Sequence, residues 1–232
     1  MTLISRDDDI TARRNTVSWF ERDNKPKNTT TFPLGARVGG AVTIDSMPFR
    51  LAGEAFGFEC PSSPQIIEAI GEIDLGEGSH LHRLYLSDDA FLQIPTNGDA
   101  NNHRSVGDVS LFVYVDSISP ANQAAFRDWV SSGSLLGAAT YTHGGREYRR
   151  VWGESADVRW TPPVAFDENV YKRTPDSIDY GLSLYSMLYE REVEGADRSE
   201  LLLVAAEDSG PNTFCISIAL GVPLGAADFE IT

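Results

Sequence analysis

Strand-period alternation is the feature that most limits how this chain can fold. It is densest over residues 76–93, Gly-Glu-Gly-Ser-His-Leu-His-Arg-Leu-Tyr-Leu-Ser-Asp-Asp-Ala-Phe-Leu-Gln. Successive side chains of a strand point to opposite faces, so a period of two sorts a segment into two sides. One side takes His80, His82, Leu84 and Leu86; the other takes Arg83 and Tyr85, with Asp88 and Asp89 in the turn that follows. The pattern recurs downstream. Val109, Leu111, Val113 and Val115 alternate with Ser110, Phe112 and Tyr114, and Leu182, Leu184 and Leu188 alternate with Tyr185, Met187 and Tyr189. Leu201 to Ala205 is apolar throughout, as a strand buried on both sides would be. The link Val193–Ser199 has the composition of a hairpin loop, which pairs the last two of these strands antiparallel.

One helix is signalled. Ser119 can cap, Pro120 suits a first helical position, and Phe126, Trp129 and Val130 fall at helical spacing before Gly133. There is no alternation of strands and helices of the kind a parallel sheet needs. The expected fold class is α+β: mainly antiparallel β, a single domain with one or two helices packed on the sheet. Residues 1–32 read as a flexible N-terminal arm, in which Asp23-Asn-Lys-Pro-Lys-Asn-Thr-Thr-Thr31 has no face to bury. Residues 33–232 form the single β-rich domain.

Charge narrows the partners. The chain carries −15, from 34 acidic and 19 basic residues. The arm holds six basic and five acidic residues, which leaves −16 on the body. Such a surface repels nucleic-acid backbones and anionic lipid, and it attracts a basic protein partner, polyamines or divalent cations. Sixteen of the basic residues are arginines, which favour bidentate pairing with carboxylates. Cys60 and Cys215 make no disulfide framework and no Cys-x-x-Cys unit. The N-terminus has no apolar signal core and no run approaches a membrane span, so a cytoplasmic location without membrane insertion is expected.

Three places could carry chemistry. His80 and His82 share a strand face, so both imidazoles could meet one divalent metal ion if Asp88, Asp89 or His103 supplied a third ligand. The competing reading draws them toward the core with Leu84 and Leu86. Arg83, Tyr85, Asp88 and Asp89 form either a ligand-binding set or a buried Arg–Asp pair that braces the turn. Arg146, Arg149 and Arg150 flank Tyr148 and Trp152, and could hold an anionic ligand or pair with nearby carboxylates. Arg146 and Arg150 are the candidates there. No serine-nucleophile elbow, phosphate loop, zinc-protease helix or dinucleotide fingerprint appears. No catalytic residue is assigned and no cofactor is expected beyond the divalent ion.

Several landmarks occur in order: Pro33-Leu-Gly-Ala-Arg-Val-Gly-Gly40, Gly76 through His82-Arg-Leu-Tyr85, Asp88-Asp-Ala-Phe-Leu-Gln93, Arg150-Val-Trp-Gly-Glu154, Met187-Leu-Tyr-Glu-Arg191 and Glu200-Leu-Leu-Leu-Val204. On these the chain resembles the YjfK-like family of bacterial proteins, a domain of unknown function. The resemblance implies an uncharacterised cytoplasmic accessory protein beside phage-shock-type membrane-stress proteins. Some such gene clusters also carry enzymes that resemble polyamine-ligating synthetases. The alternative from the residues themselves is a small-ligand binder or metal-dependent enzyme using the 76–93 strand and turn.

Overall fold

The computed structural model describes residues 31–98, 105–153 and 158–232. Twelve strands and two short α-helices make up this part of the chain. Eight of the strands close on themselves. They are β2 (Gln65–Gly76), β3 (Ser79–Leu86), β4 (Ala90–Asn97), β5 (Val109–Ile118), β8 (Val164–Tyr171), β9 (Tyr180–Arg191), β10 (Glu200–Asp208) and β11 (Phe214–Leu224). Antiparallel ladders run β2–β3–β4–β5–β11–β10–β9–β8. The ring is completed where β8 pairs with β2, from Ile70 opposite Tyr171 to Ile73 opposite Glu168.

This corrects the expected α+β arrangement of helices packed on a sheet. The fold is a closed eight-stranded antiparallel barrel, mainly β. Closure pairs the strand edges that an open sheet would leave exposed. Four further strands extend the ring: β1 (Ala41–Ile44) and β12 (Phe229–Ile231) beyond β2, and β6 (Thr140–His143) and β7 (Arg146–Arg150) beyond β9.

The helices are accessories on the outside. In α2 (Gln123–Val130) the start lies later than Ser119-Pro120 suggests. Asn122 is the cap, its side chain accepting from the Ala125 amide at 3.0 Å. Phe126 stacks on Phe214 at 4.8 Å and seats the helix on the barrel wall. The six-residue α1 (Met47–Ala52) is anchored through Phe49, which packs with Phe56 and Phe58.

Two outer cores cover the wall. One gathers Val42, Phe49, Phe56, Ile67, Leu84 and Leu111 beneath residues 32–60. The other gathers Phe126, Tyr141, Tyr148, Tyr189, Leu202 and Ile218 beneath α2 and the β6–β7 hairpin. A wall covered outside and filled inside needs apolar residues on both faces, which is why residues 201–206 are apolar throughout.

The covering segment is pinned by Glu200, which is fully buried. It accepts from the Tyr148 hydroxyl at 2.8 Å, from Arg191 Nε at 2.6 Å and from the Gly57 amide. Arg191 also donates to the Ala55 carbonyl at 2.6 Å.

Inside, large residues face small ones. Phe91 and Phe112 stack at 5.2 Å and pack with Leu203 and Ala219. A Cβ on Gly221 would lie 2.2 Å from the Leu111 carbonyl oxygen and 2.6 Å from Phe112 Cδ1, so that position must be glycine for the rings to fit. Ser217 and Ala219 continue the same small face of β11, while Ile216 and Ile218 point into the outer core.

Candidate functional site

The alternation in β3 divides its chemistry between two sides of the barrel wall. Arg83 and Tyr85 point inward. Arg83 is paired with Glu168 of β8, Nη1 to Oε2 at 3.0 Å, and neither side chain is exposed beyond 4%. Tyr85 donates to the other Glu168 oxygen at 2.7 Å, and Gln93 accepts from Arg83 Nε at 3.3 Å. The guanidinium lies 5.4 Å from the Phe91 ring centroid, a cation–π contact. Burial first, and then the Glu168 carboxylate, push the Tyr85 phenol well above its usual range, so it stays a donor. Gly71 makes room for Glu168: a Cβ there would stand 1.7 Å from Oε1.

Arg83 therefore pairs over the intervening strand β2 with a residue 85 positions away, not with the aspartates of the adjoining turn. Asp88 instead accepts from Ser62 Oγ at 2.5 Å and from Gln65 Nε2 at 2.8 Å, fastening the turn to the loop before β2. Those hydrogen bonds hold its carboxyl below the usual range. Asp89 adopts positive φ, and its carbonyl accepts from the Tyr114 amide.

Near Asp89 the barrel has an open end, where β10 runs into β11. A hollow of about 490 Å³ there is lined by Asp89, Tyr114, Asp116, Ser117, Glu207 and Ser217, among others. Glu207 accepts from Ser217 Oγ at 2.5 Å. Burial pushes its carboxyl up, and it forms no ion pair among the described residues. Sequence analysis missed both Glu168 and Glu207. Glu168 was detectable as an acid alternating with Phe166 and Val170, which share its inward side. Glu207 follows an apolar run and carried no comparable signal.

His80 and His82 point outward. His82 is 1% exposed and meets the Phe32 ring edge-on at 6.4 Å, with Nε2 3.3 Å from Thr96 Oγ1. The adjoining His80 has Nδ1 3.7 Å from Glu72 Oε1. Among the described residues no cluster of three His, Cys, Asp or Glu could hold a metal ion. Of the candidate third ligands, His103 lies outside the described residues, and Asp88 and Asp89 sit in the turn beyond the far end of β3 from His80.

His82 instead predicts a pH dependence. Burial, and then the charge of His80, lower its pKa from 6.5 to about 4. The unfolded chain then binds that proton more readily than the folded one. The associated stability is present above pH 6.5 and is lost as pH falls toward 4, by about 3 kcal/mol. Urea unfolding at pH 7 and pH 4.5 should show a larger drop for the native sequence than for His82→Leu. Equal drops would assign the acid sensitivity elsewhere.

Arg146 and Arg150 line a third feature, a groove of about 850 Å³ shared with Arg149, Arg191, Glu190 and Glu192. Arg150 donates to the carbonyls of Gly137 and Val158 at 2.8 and 2.9 Å. Arg146 donates to the Glu54 carbonyl at 3.2 Å. These arginines tie loops to the wall through backbone oxygens, and Arg191 of the same groove pairs with the Glu200 carboxylate.

Comparison with known proteins agrees with the family resemblance. A family described as "Protein of unknown function (DUF2491)" matches residues 16–230. The chain is similar to the "Uncharacterized protein YjfK" of Escherichia coli (strain K12). The two are 30% identical over 216 residues, covering 91% of this chain and 95% of that protein. No solved structure matches. Among the described residues no helix is long and apolar enough to cross a membrane.

Proposed function

We propose, for a chain that belongs to the YjfK-like DUF2491 family of unknown function, a non-catalytic binding module whose open barrel end receives a cationic group. The observation that carries this reading is Glu207. Its carboxyl lines the hollow, has its pKa raised by burial, and among the described residues is hydrogen-bonded by a serine hydroxyl and by no cation. The other interior acid, Glu168, is already neutralised by Arg83. A primary amine or guanidinium brought to Glu207 offsets the cost of holding that charge away from water. Asp89 and Asp116 at the rim add attraction. A polyamine, or a lysine or arginine of a basic protein partner, supplies such a group.

The setting we propose is the one the family resemblance implies: an accessory role in an envelope-stress system, in the cytoplasm. A pull-down in which no stress-system protein is enriched over a charge-matched control would count against that setting.

Binding is tested by titrating spermidine or a lysine-rich peptide into the protein at matched ionic strength. Saturable heat is expected at pH 7.5. Glu207→Gln should weaken it roughly tenfold or more, the scale of a hydrogen bond to a charged partner. Because the Glu207 pKa is raised, affinity should also fall as pH is lowered through its titration. Equal binding by the variant, or none by the native protein, would end the proposal.

A further inference from the structure

A second binding surface lies on the outer wall, away from the barrel end. Leu51 is 81% exposed, the most exposed large apolar side chain among the described residues, and Met47 is 53% exposed. Both are on α1 with helical i, i+4 spacing, so they share one face. Phe49, buried at 7%, holds that helix against the wall. Beside Met47 and Leu51 is a hollow of about 360 Å³ between α1 and the loop joining β9 to β10. Pro48, Ala52, Phe56 and Ala196 help to line it. Phe56 is a buried core residue and Ala196 packs against the same core, so the hollow continues the outer core to the surface.

The charges around it are specific. Asp45 and Asp197 line the hollow and are exposed, Asp197 to 91% of its side chain. Arg198 also lines it; its guanidinium is held by Asp228 at 3.0 Å and by the Pro223 carbonyl at 3.2 Å, and its Nε lies 3.8 Å from the exposed Asp197 carboxylate, which still faces solvent. An apolar hollow with an acidic rim fits an apolar anchor carried next to lysine or arginine. Anionic lipid is repelled by the same rim, and a second copy would bring the same carboxylates and another −15.

We propose that this hollow docks a basic amphipathic segment of another protein, with Met47 and Leu51 as the apolar contacts and Asp45 and Asp197 as the charged rim. Large exposed apolar side chains beside a shaped pocket are the usual anchors of such contacts. The site shares no lining residue with the barrel end, so the two proposals fail independently.

The test uses the full chain and a fluorescent Leu/Lys peptide patterned at helical spacing, followed by anisotropy. Saturable binding is expected, with a Leu/Glu peptide of the same pattern much weaker. Leu51→Gln should weaken the Leu/Lys peptide roughly tenfold, and Asp197→Asn should remove part of the salt dependence. Leu135→Gln, at a side chain 49% exposed elsewhere, should leave affinity unchanged. Both leucines are exposed, so folding is not in question, and circular dichroism checks it. Equal effects of Leu51→Gln and Leu135→Gln, or equal binding of the Leu/Glu peptide, would overturn the proposal. So would binding to phosphatidylglycerol vesicles, or self-association in sedimentation, that Leu51→Gln abolishes: the first would make the face a lipid contact, the second a contact between copies.

Discussion

Replacing Glu168 by alanine should destabilise the protein by about 3–5 kcal/mol, the scale for removing one partner of a buried ion pair. The loss has two parts. Arg83 keeps its charge inside the barrel with no carboxylate beside it, and Tyr85 loses the acceptor of its 2.7 Å hydrogen bond. Arg83 cannot turn to water, since both members of the pair are buried in the interior. A loss of this size is a large share of the roughly 5–15 kcal/mol by which a domain is usually stable. Removing both charges is a different experiment. Arg83→Met with Glu168→Leu takes away the pair and its desolvation cost together, and should cost far less than Glu168→Ala alone. Urea unfolding of the three proteins decides it. A single-variant loss below about 1 kcal/mol, or a double variant worse than the single, would show that the pair is not what holds this part of the interior.

The second large effect is at Gly71. Taken alone, alanine in a strand is the better choice, because glycine loses more backbone freedom on folding. Here the sign reverses. A Cβ at position 71 would lie 1.7 Å from Glu168 Oε1 and 2.7 Å from its Cδ, and Glu168 is held in place by Arg83 and Tyr85. Gly71→Ala should therefore cost about 3 kcal/mol, combining overpacking with distortion of the pair. The cost is conditional on the glutamate. In a Glu168→Ala background the same substitution should add less than about 1 kcal/mol, a strong departure from additivity between neighbouring sites. If the two losses simply add, the contact between Gly71 and Glu168 does not control stability.

Local faces were legible where alternation is strong. His82 shares its strand face with Leu84 and Leu86, and that face packs into a core outside the barrel wall. On β11, Ala219 and Gly221 are the small residues that make room for the large interior rings. The family was legible too, because several moderate landmarks in the right order are specific together. The partner of Arg83 was not. Adjacent aspartates are the natural choice by proximity in sequence, but the ring of strands brings Glu168 closer in space.

The same division holds for the whole molecule. The sequence by itself determined that the chain is mainly strands, which side chains share a face, and to which family it belongs. Those follow from a period of two and from residue identity, both local properties. Only the tertiary structure decided that the strands close into a barrel. The four residue pairs between β2 and β8 that complete the ring join segments about a hundred positions apart, and alternation has no memory over that distance. Closure then decided which face is the interior, and with it that the charges of Arg83, Glu168 and Glu207 belong to one space.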